Sequence, residues 1–304
     1  MPAAGGLVRN VRLDIATATS EETIIVEARR EQPGETRRVI EPEIARTLPG
    51  SQGDALKAIQ NLPGLARASY GGAALIVRGG APEDTRVFLD GNEIPQLYHF
   101  GGLTSVVATE MLQSIDFLPG GFGVRYGRAL SGVVDVETRP ARETRSGIVD
   151  ADIFDASAFG EGAVFGGPVV TGTNGELSGG ATPDRSRHGR MIAAGRRSYI
   201  DFVLPLVVPE DVLTLTVAPR YYDYQLRYDA PTTAAGTNTH VMAYGSDDAF
   251  TFLVEEPPDD AVELRGKFLY RTLFHQAQAG ITKPLPSGWL LSAAPAVAYQ
   301  SLII

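Results

Sequence analysis

Tyr221–Tyr228 reads YYDYQLRY and shows the clearest alternation of side chains in this sequence. Successive side chains of a strand point to opposite faces. One face would carry Tyr222, Tyr224, Leu226 and Tyr228, and the other Tyr221, Asp223, Gln225 and Arg227. From about residue 145 onward, similar segments are divided by turn residues. This pattern is typical of a transmembrane β-barrel, but a soluble β-sandwich alternates as well, so the alternation alone leaves both folds open.

The composition excludes several classes of protein. The 34 glycines and 20 prolines among 304 residues favour turns and strands over long helices. A formal net charge of −9 argues against nucleic acid as a partner, because phosphate binding requires clustered Lys and Arg. Cysteine is absent, which excludes thiolate metal sites, disulfides and cysteine nucleophiles. The four histidines are far apart and no catalytic signature is present, so we expect no metal, no cofactor and no enzymatic activity.

The first half of the chain mixes short helical and strand-like segments. Pro42 can open a helical turn, and Asp54 is suited to cap a helix over residues 55–62 that stops at Pro63-Gly64. Asp90-Gly91 is a turn signal. A further helix is predicted over Leu103–Leu112. Short strands are predicted at Leu75–Arg78, Arg86–Leu89, Ser114–Leu118 and Gly132–Glu137.

Four motifs follow one another over residues 21–140. They are the heptad Glu22–Ala28 (ETIIVEA), the segment 54–62 with its Pro-Gly stop, the pair Ile76–Gly80 (IVRGG) and Val87–Gly91 (VFLDG), and the closing segment Ile115–Val136. In this order and spacing they resemble the TonB-dependent receptors of Gram-negative outer membranes. Many members of that family carry Arg-Gly-Pro before the last plug segment, where this chain has Leu118–Phe122 (LPGGF). The contact of that arginine with the barrel wall is therefore not carried over.

The resemblance implies an α+β plug domain followed by an all-β antiparallel transmembrane β-barrel. The expected division is a remnant of an upstream β-rich extension at 1–20, a TonB box and linker at 21–38, the plug at 39–142, and the N-terminal portion of the barrel at 143–304. Barrels of this family have about 22 strands, whereas residues 143–304 suffice for roughly six to eight. The barrel is thus expected to be incomplete, as in a fragment, a truncated gene product or a partial structure.

The resemblance also implies roles for three sets of residues. The TonB box, an extended segment that can add to the sheet edge of a partner, comprises Glu22, Thr23, Ile24, Ile25, Val26, Glu27 and Ala28. The residues expected to seat the plug are Arg78, Gly79, Asp90 and Gly91, with Arg78 pairing with acids of the inner barrel wall. The candidate ligand loop contains Asn92, Gln96, Tyr98, His99 and Phe100. The alternative for this loop is packing inside the barrel without ligand contact.

The function implied is uptake across the outer membrane of a Gram-negative bacterium. The receptor would bind a scarce extracellular solute, with a siderophore or other metal chelate as the leading class by analogy. It would admit the solute to the periplasm when the periplasmic domain of TonB, with its inner-membrane energising complex, remodels the plug. Outer-membrane lipid would surround the barrel. The alternative is a truncated, non-transporting module of plug and TonB box in the periplasm, and a soluble β-rich enzyme is a distant third.

Overall fold

The computed structural model describes residues 36–67, 75–99, 102–165, 188–207, 220–254 and 266–303. Residues 1–20 and the predicted TonB box lie outside the described residues. The strands are β1 (Arg38–Ile40), β2 (Leu65–Arg67), β3 (Leu75–Val77), β4 (Thr85–Leu89), β5 (Asn92–Ile94), β6 (Leu112–Leu118), β7 (Gly132–Thr138), β8 (Ser146–Ala151), β9 (Asp155–Phe165), β10 (Gly189–Ser198), β11 (Arg220–Asp229), β12 (Asn238–Val254), β13 (Gly266–Pro284), β14 (Leu290–Ala293) and β15 (Ala296–Ile303).

Helical structure is sparse in the described residues. The two α-helices are α1 (Pro42–Ala45) and α2 (Ile200–Val207). Short 3-10 helices occur at Leu56–Asn61, Pro82–Asp84, Thr109–Met111 and Pro286–Gly288. Within the described ranges, no helix has both the length and the apolar character that a membrane span requires.

Residues 36–142 form the N-terminal domain, built on a mixed five-stranded sheet. Its strand order is β1-β6-β7-β4-β5, in which β4 and β7 are parallel and the other neighbours are antiparallel. Strands β2 and β3 form a separate antiparallel pair. The core contains fully buried apolar side chains from several of these elements: Leu56, Ile59, Val77, Leu89, Ile115, Phe117, Val134 and Val136.

Two helix predictions for this domain meet different outcomes. Asp54 accepts the first backbone N–H of the segment, that of Leu56, at 2.9 Å, but the N-cap position is Ala55, and the segment is a short 3-10 helix and not an α-helix. The predicted helix over Leu103–Leu112 is wrong. Its first half is the return arm of a hairpin, in which Val106 N donates to Leu97 O at 2.9 Å, and only Thr109–Met111 make a helical turn. Apolar spacing suited a helix there, but cross-strand hydrogen bonds decide the local structure.

Strands β8–β15 form one antiparallel sheet, hereafter the wall sheet. The order is β14-β13-β12-β11-β10-β9-β8, with β15 also paired to β13. Within the described residues the sheet does not close on itself. The alternation in β11 is confirmed, because Tyr221, Asp223, Gln225, Arg227 and Asp229 are buried while Tyr224 and Leu226 are exposed.

The buried face of the wall sheet is largely polar, and it packs against the N-terminal domain. Its buried polar side chains include Asp155, Glu161, Asp223, Gln225, Arg227, Asp229, Ser246, Asp248, Gln276 and Gln278. Fewer apolar ones, among them Ile192, Met242 and Phe274, join the core of the N-terminal domain. The opposite face exposes apolar side chains such as Leu226, Val241, Leu269, Val297 and Ile303. This arrangement is that of a barrel wall, apolar outside and polar inside, and not that of a sandwich.

Candidate functional site

The contact between the N-terminal domain and the wall sheet is built around one hairpin, residues 97–106. Its backbone is closed by His99 N donating to Thr104 O and Val106 N donating to Leu97 O, both at 2.9 Å. Tyr98 is 1% exposed and fixes the hairpin to its own domain, because its hydroxyl donates to Leu56 O at 2.7 Å. Phe100 of the predicted ligand loop lies outside the described residues.

His99 reaches from this hairpin into the wall sheet and is completely buried. Its Nδ1 lies 2.7 Å from Asp248 Oδ1 and its Nε2 lies 2.9 Å from Asp223 Oδ2. The imidazole stacks on the ring of Tyr221 with centroids 4.3 Å apart. Burial lowers the pKa of His99, but the charges and hydrogen bonds of Asp248 and Asp223 outweigh it and raise the pKa to about 9. The imidazole therefore carries a positive charge at neutral pH.

A cavity of about 320 Å³ lies beside the hairpin, between the two parts of the molecule. Arg196 crosses its wall, with Nη1 donating to Thr104 Oγ1 and to Ser105 O. Its Nε lies 3.8 Å from both Asp155 Oδ1 and Asp223 Oδ2. Acidic side chains outnumber basic ones in the lining, which contains Asp54, Glu110, Asp150, Asp152, Asp155 and Asp223 against Arg46 and Arg196.

A second contact zone surrounds the turn between β4 and β5. Asp90 and Gly91 both have positive φ angles, 48° and 81°, and connect strands paired at Leu89 and Asn92. This is the two-residue turn type that Asp-Gly favours. Asp90 accepts hydrogen bonds from the backbone and hydroxyl of Thr138, and its Oδ2 lies 3.5 Å from Arg227 Nη1 of the wall sheet. Asp90 thus lies beside Arg227 of the wall sheet, and the seating role of Asp90 and Gly91 stays a prediction.

A third contact zone links the end of β7 to the first strands of the wall sheet. Arg139 donates to Glu161 in a bidentate pair, at 2.7 Å and 2.9 Å. The same carboxylate accepts from Arg142 N at 2.9 Å and from Ser146 Oγ at 3.1 Å. Glu161 is 7% exposed, so its charge is compensated almost entirely by protein groups. The sequence had no local signal for this pair.

The structure does not bring Arg78 to the wall sheet. Arg78 is exposed, has a φ of 50°, and makes no ion pair with a wall acid in the ranges that the structure describes. Its backbone N–H donates to Gly64 O at 2.8 Å, beside the Pro-Gly stop, and Gly79 follows with a φ of 77°. The arginines that do make contacts across the interface are Arg139 of the N-terminal domain and Arg196 and Arg227 of the wall sheet.

Asn92 and Gln96 of the predicted ligand loop also face the wall sheet. Asn92 Nδ2 donates to Gln278 Oε1 at 3.0 Å, and Gln96 Nε2 donates to Ser246 Oγ at 3.4 Å. Gln96 also lines a larger cavity of about 770 Å³ between the N-terminal domain and β13 and β15. The polar groups of this loop are thus engaged with protein partners, which is the packing alternative, and direct ligand contact stays a prediction.

Replacing Asp90 by asparagine is expected to lower the free energy of unfolding by about 1.5 kcal/mol. Asparagine tolerates the positive φ, so the loss comes from the charged acceptor that Thr138 and Arg227 share. Chemical unfolding in detergent, followed by circular dichroism, measures the change. Glu83→Gln is the matched control, because Glu83 is exposed and loses the same charge. Equal stability of the two variants would contradict the seating contact.

The comparisons with known proteins agree with this architecture. Residues 28–133 match the sequence profile of a family described as the TonB-dependent Receptor Plug Domain. The fold is similar to a mutant of the ferric enterobactin receptor PfeA from Pseudomonas aeruginosa, at 16% identity and a TM-score of 0.52, covering 88% of this chain and 40% of that one. It is also similar to FauA, described as the alcaligin outer membrane receptor of Bordetella pertussis, at 12% identity and a TM-score of 0.53, covering 88% and 39%.

A third similar structure is the outer membrane transporter YddB from Escherichia coli, at 10% identity and a TM-score of 0.54, covering 88% of this chain and 39% of that one. The chain therefore spans about two fifths of the length of these solved structures. At such identities the likeness establishes a common fold, a plug followed by strands of a barrel.

Proposed function

We propose that this chain, whose residues 28–133 match the plug domain of TonB-dependent receptors, acts in such a receptor in a Gram-negative outer membrane. The receptor binds a scarce extracellular solute and admits it to the periplasm when TonB remodels the plug. The observation that carries this proposal is the interface between plug and wall sheet. It is closed by discrete polar contacts around His99, Asp90 and Glu161, which can be broken and re-formed, in a fold shared with outer-membrane receptors.

A ferric siderophore is the ligand class that the similar structures favour. PfeA is described as a receptor of ferric enterobactin and FauA as a receptor of alcaligin. A solute in the cavity of about 320 Å³ beside the hairpin would contact both parts that must separate, but the mostly acidic lining gives no support to an anionic chelate, so the siderophore class rests on the similar structures alone. The candidate ligand loop continues into the 97–106 hairpin, whose Thr104 lines the cavity. A solute bound in the cavity would therefore contact the plug directly.

The TonB box remains part of the proposal, supported by its sequence ETIIVEA immediately before the matched plug residues. An extended segment of this kind binds by adding a strand to a partner sheet. The exposed apolar face of the wall sheet supports contact with outer-membrane lipid.

The proposal is tested by expressing the receptor that contains this chain in Gram-negative cells. We expect detergent-dependent solubility, heat-modifiable mobility on gels, and saturable binding of iron-labelled ferric enterobactin or ferric alcaligin. A product that is found in the soluble periplasmic fraction and binds TonB but no solute would favour the non-transporting module. A membrane-inserted product that binds neither chelate would reject the siderophore class while leaving the receptor assignment in place.

A further inference from the structure

We infer that His99 is a charged lock, held as an imidazolium between Asp223 and Asp248, that fastens the 97–106 hairpin of the plug to the wall sheet. The inference deepens the proposed function, because the lock must open whenever this part of the plug moves. It assigns His99 a positioning role that requires no ligand contact. The hairpin, the two carboxylates and the stacked Tyr221 ring form one buried unit.

The geometry itself requires the charged form of the ring. Both imidazole nitrogens lie within 2.9 Å of a carboxylate oxygen, one from β11 and one from β12. A neutral imidazole has a single N–H, so one carboxylate would then face a nitrogen lone pair. Only the imidazolium donates to both carboxylates at once, and such charge-assisted hydrogen bonds are stronger than neutral ones.

Other buried charged groups surround His99, so its protonation state determines the charge balance of the interface. Asp223 also accepts from Gln225 Nε2 at 2.8 Å and lies near Arg196 of β10, whereas Asp248 accepts from Ser246 Oγ at 2.7 Å. From β9, Asp155 accepts the hydroxyl hydrogen of Tyr221 at 2.6 Å. Asp54 of the plug, which accepts from Ser105 N at 2.6 Å, is a fourth carboxylate close to Arg196. Four carboxylates therefore face two cations, His99 and Arg196, and loss of the imidazolium proton enlarges the buried excess of negative charge between plug and wall.

The direction of the pH dependence follows from the raised pKa of His99. The group binds its proton more tightly in the folded protein than in an unfolded chain, where its pKa is near 6.5. The stabilisation is complete below that value, persists at neutral pH, and is lost as the pH rises through about 9. The lock thus holds under ordinary conditions and opens in alkali.

These 304 residues contain no cysteine, so a thiol introduced among them can be followed by the labelling of the peptide that carries it. Val106 is 3% exposed and lies in the hairpin, so Val106→Cys reports whether the hairpin is seated. Maleimide labelling of the receptor in detergent should be slow with His99 present. His99→Gln should speed it by roughly tenfold or more, since charge-assisted hydrogen bonds are lost. His275→Gln is the control, because His275 is exposed on the outer face and should leave the rate unchanged.

A pH series on the Val106→Cys receptor with His99 intact provides the second arm. Each rate is divided by that of a small free thiol at the same pH, which removes the effect of thiol ionisation. The normalised rate should be flat near neutrality and rise through about pH 9. A flat profile to about pH 10, or equal labelling of the His99→Gln and parent receptors, would overturn the lock. This arm decides the question even if His99→Gln fails to fold, and neither arm needs TonB or a solute.

Discussion

Uptake of the ferric chelate should be abolished by Ile25→Pro in the proposed TonB box, while binding of the chelate to the receptor remains normal. Proline removes a backbone N–H and fixes φ, so the segment can no longer complete a ladder of hydrogen bonds with a partner strand. The substitution replaces no residue of the plug or the wall sheet. Uptake of iron-labelled chelate by energised cells, compared with equilibrium binding to the same cells, measures the two effects separately.

Three further variants test this prediction. Ala18→Pro places the same residue four positions before the heptad and should transport normally. Proline at Ile24 or Val26 should block uptake as Ile25→Pro does. Normal uptake by all three heptad variants would show that residues 22–28 do not contact TonB.

Glu161→Ala should lower the free energy of unfolding by about 3 kcal/mol, the largest stability effect that we predict for a single interface contact. The change removes the carboxylate that binds Arg139 in a bidentate pair and also accepts from Arg142 N and Ser146 Oγ. The Arg139 side chain is 16% exposed, so its guanidinium would remain largely buried without its partner. The measurement is urea unfolding of the detergent-solubilised receptor.

Glu43→Ala is the matched control for that variant. Glu43 also pairs with an arginine, Arg46, but at 3.7 Å and with its side chain 79% exposed. Exposed pairs of this kind contribute at most about 1 kcal/mol. A Glu161→Ala receptor no less stable than Glu43→Ala would show that the link between β7 and the wall sheet is dispensable.

The faces of strands and the tight turns could be predicted from local sequence. Alternation in Tyr221–Tyr228 placed Asp223 and Arg227 on the same face, and the structure confirms this grouping because side chains of a strand alternate without regard to distant contacts. That this face is the buried one is known from the structure. Asp90-Gly91 was identified as a turn since few residue pairs accept two positive φ angles. Both signals are contained within a few neighbouring residues.

The contacts across the interface could not be predicted in the same way. His99 lies 124 residues from Asp223 and 149 from Asp248, so nothing in its neighbourhood reveals the carboxylates that hold it. His99 lies in a stretch of aromatic and hydrogen-bonding residues. Such residues occur both in ligand-binding loops and in buried polar interfaces, so the sequence could not distinguish the two. Arg78 was predicted to pair with acids of the wall, but it is exposed in the structure, and the arginines that contact the opposite part of the molecule are Arg139, Arg196 and Arg227.

The polar inner face of the wall sheet has a consequence for how often the receptor can work. Separating an apolar interface exposes apolar surface to water, which costs free energy. Carboxylates, amides and guanidinium groups can instead exchange each protein partner for water at a modest net change in free energy. Displacement of the plug would therefore leave a hydrated lumen and not a collapsed one. The plug could return to the same hydrogen-bond partners, which permits repeated cycles without renewed folding of the wall.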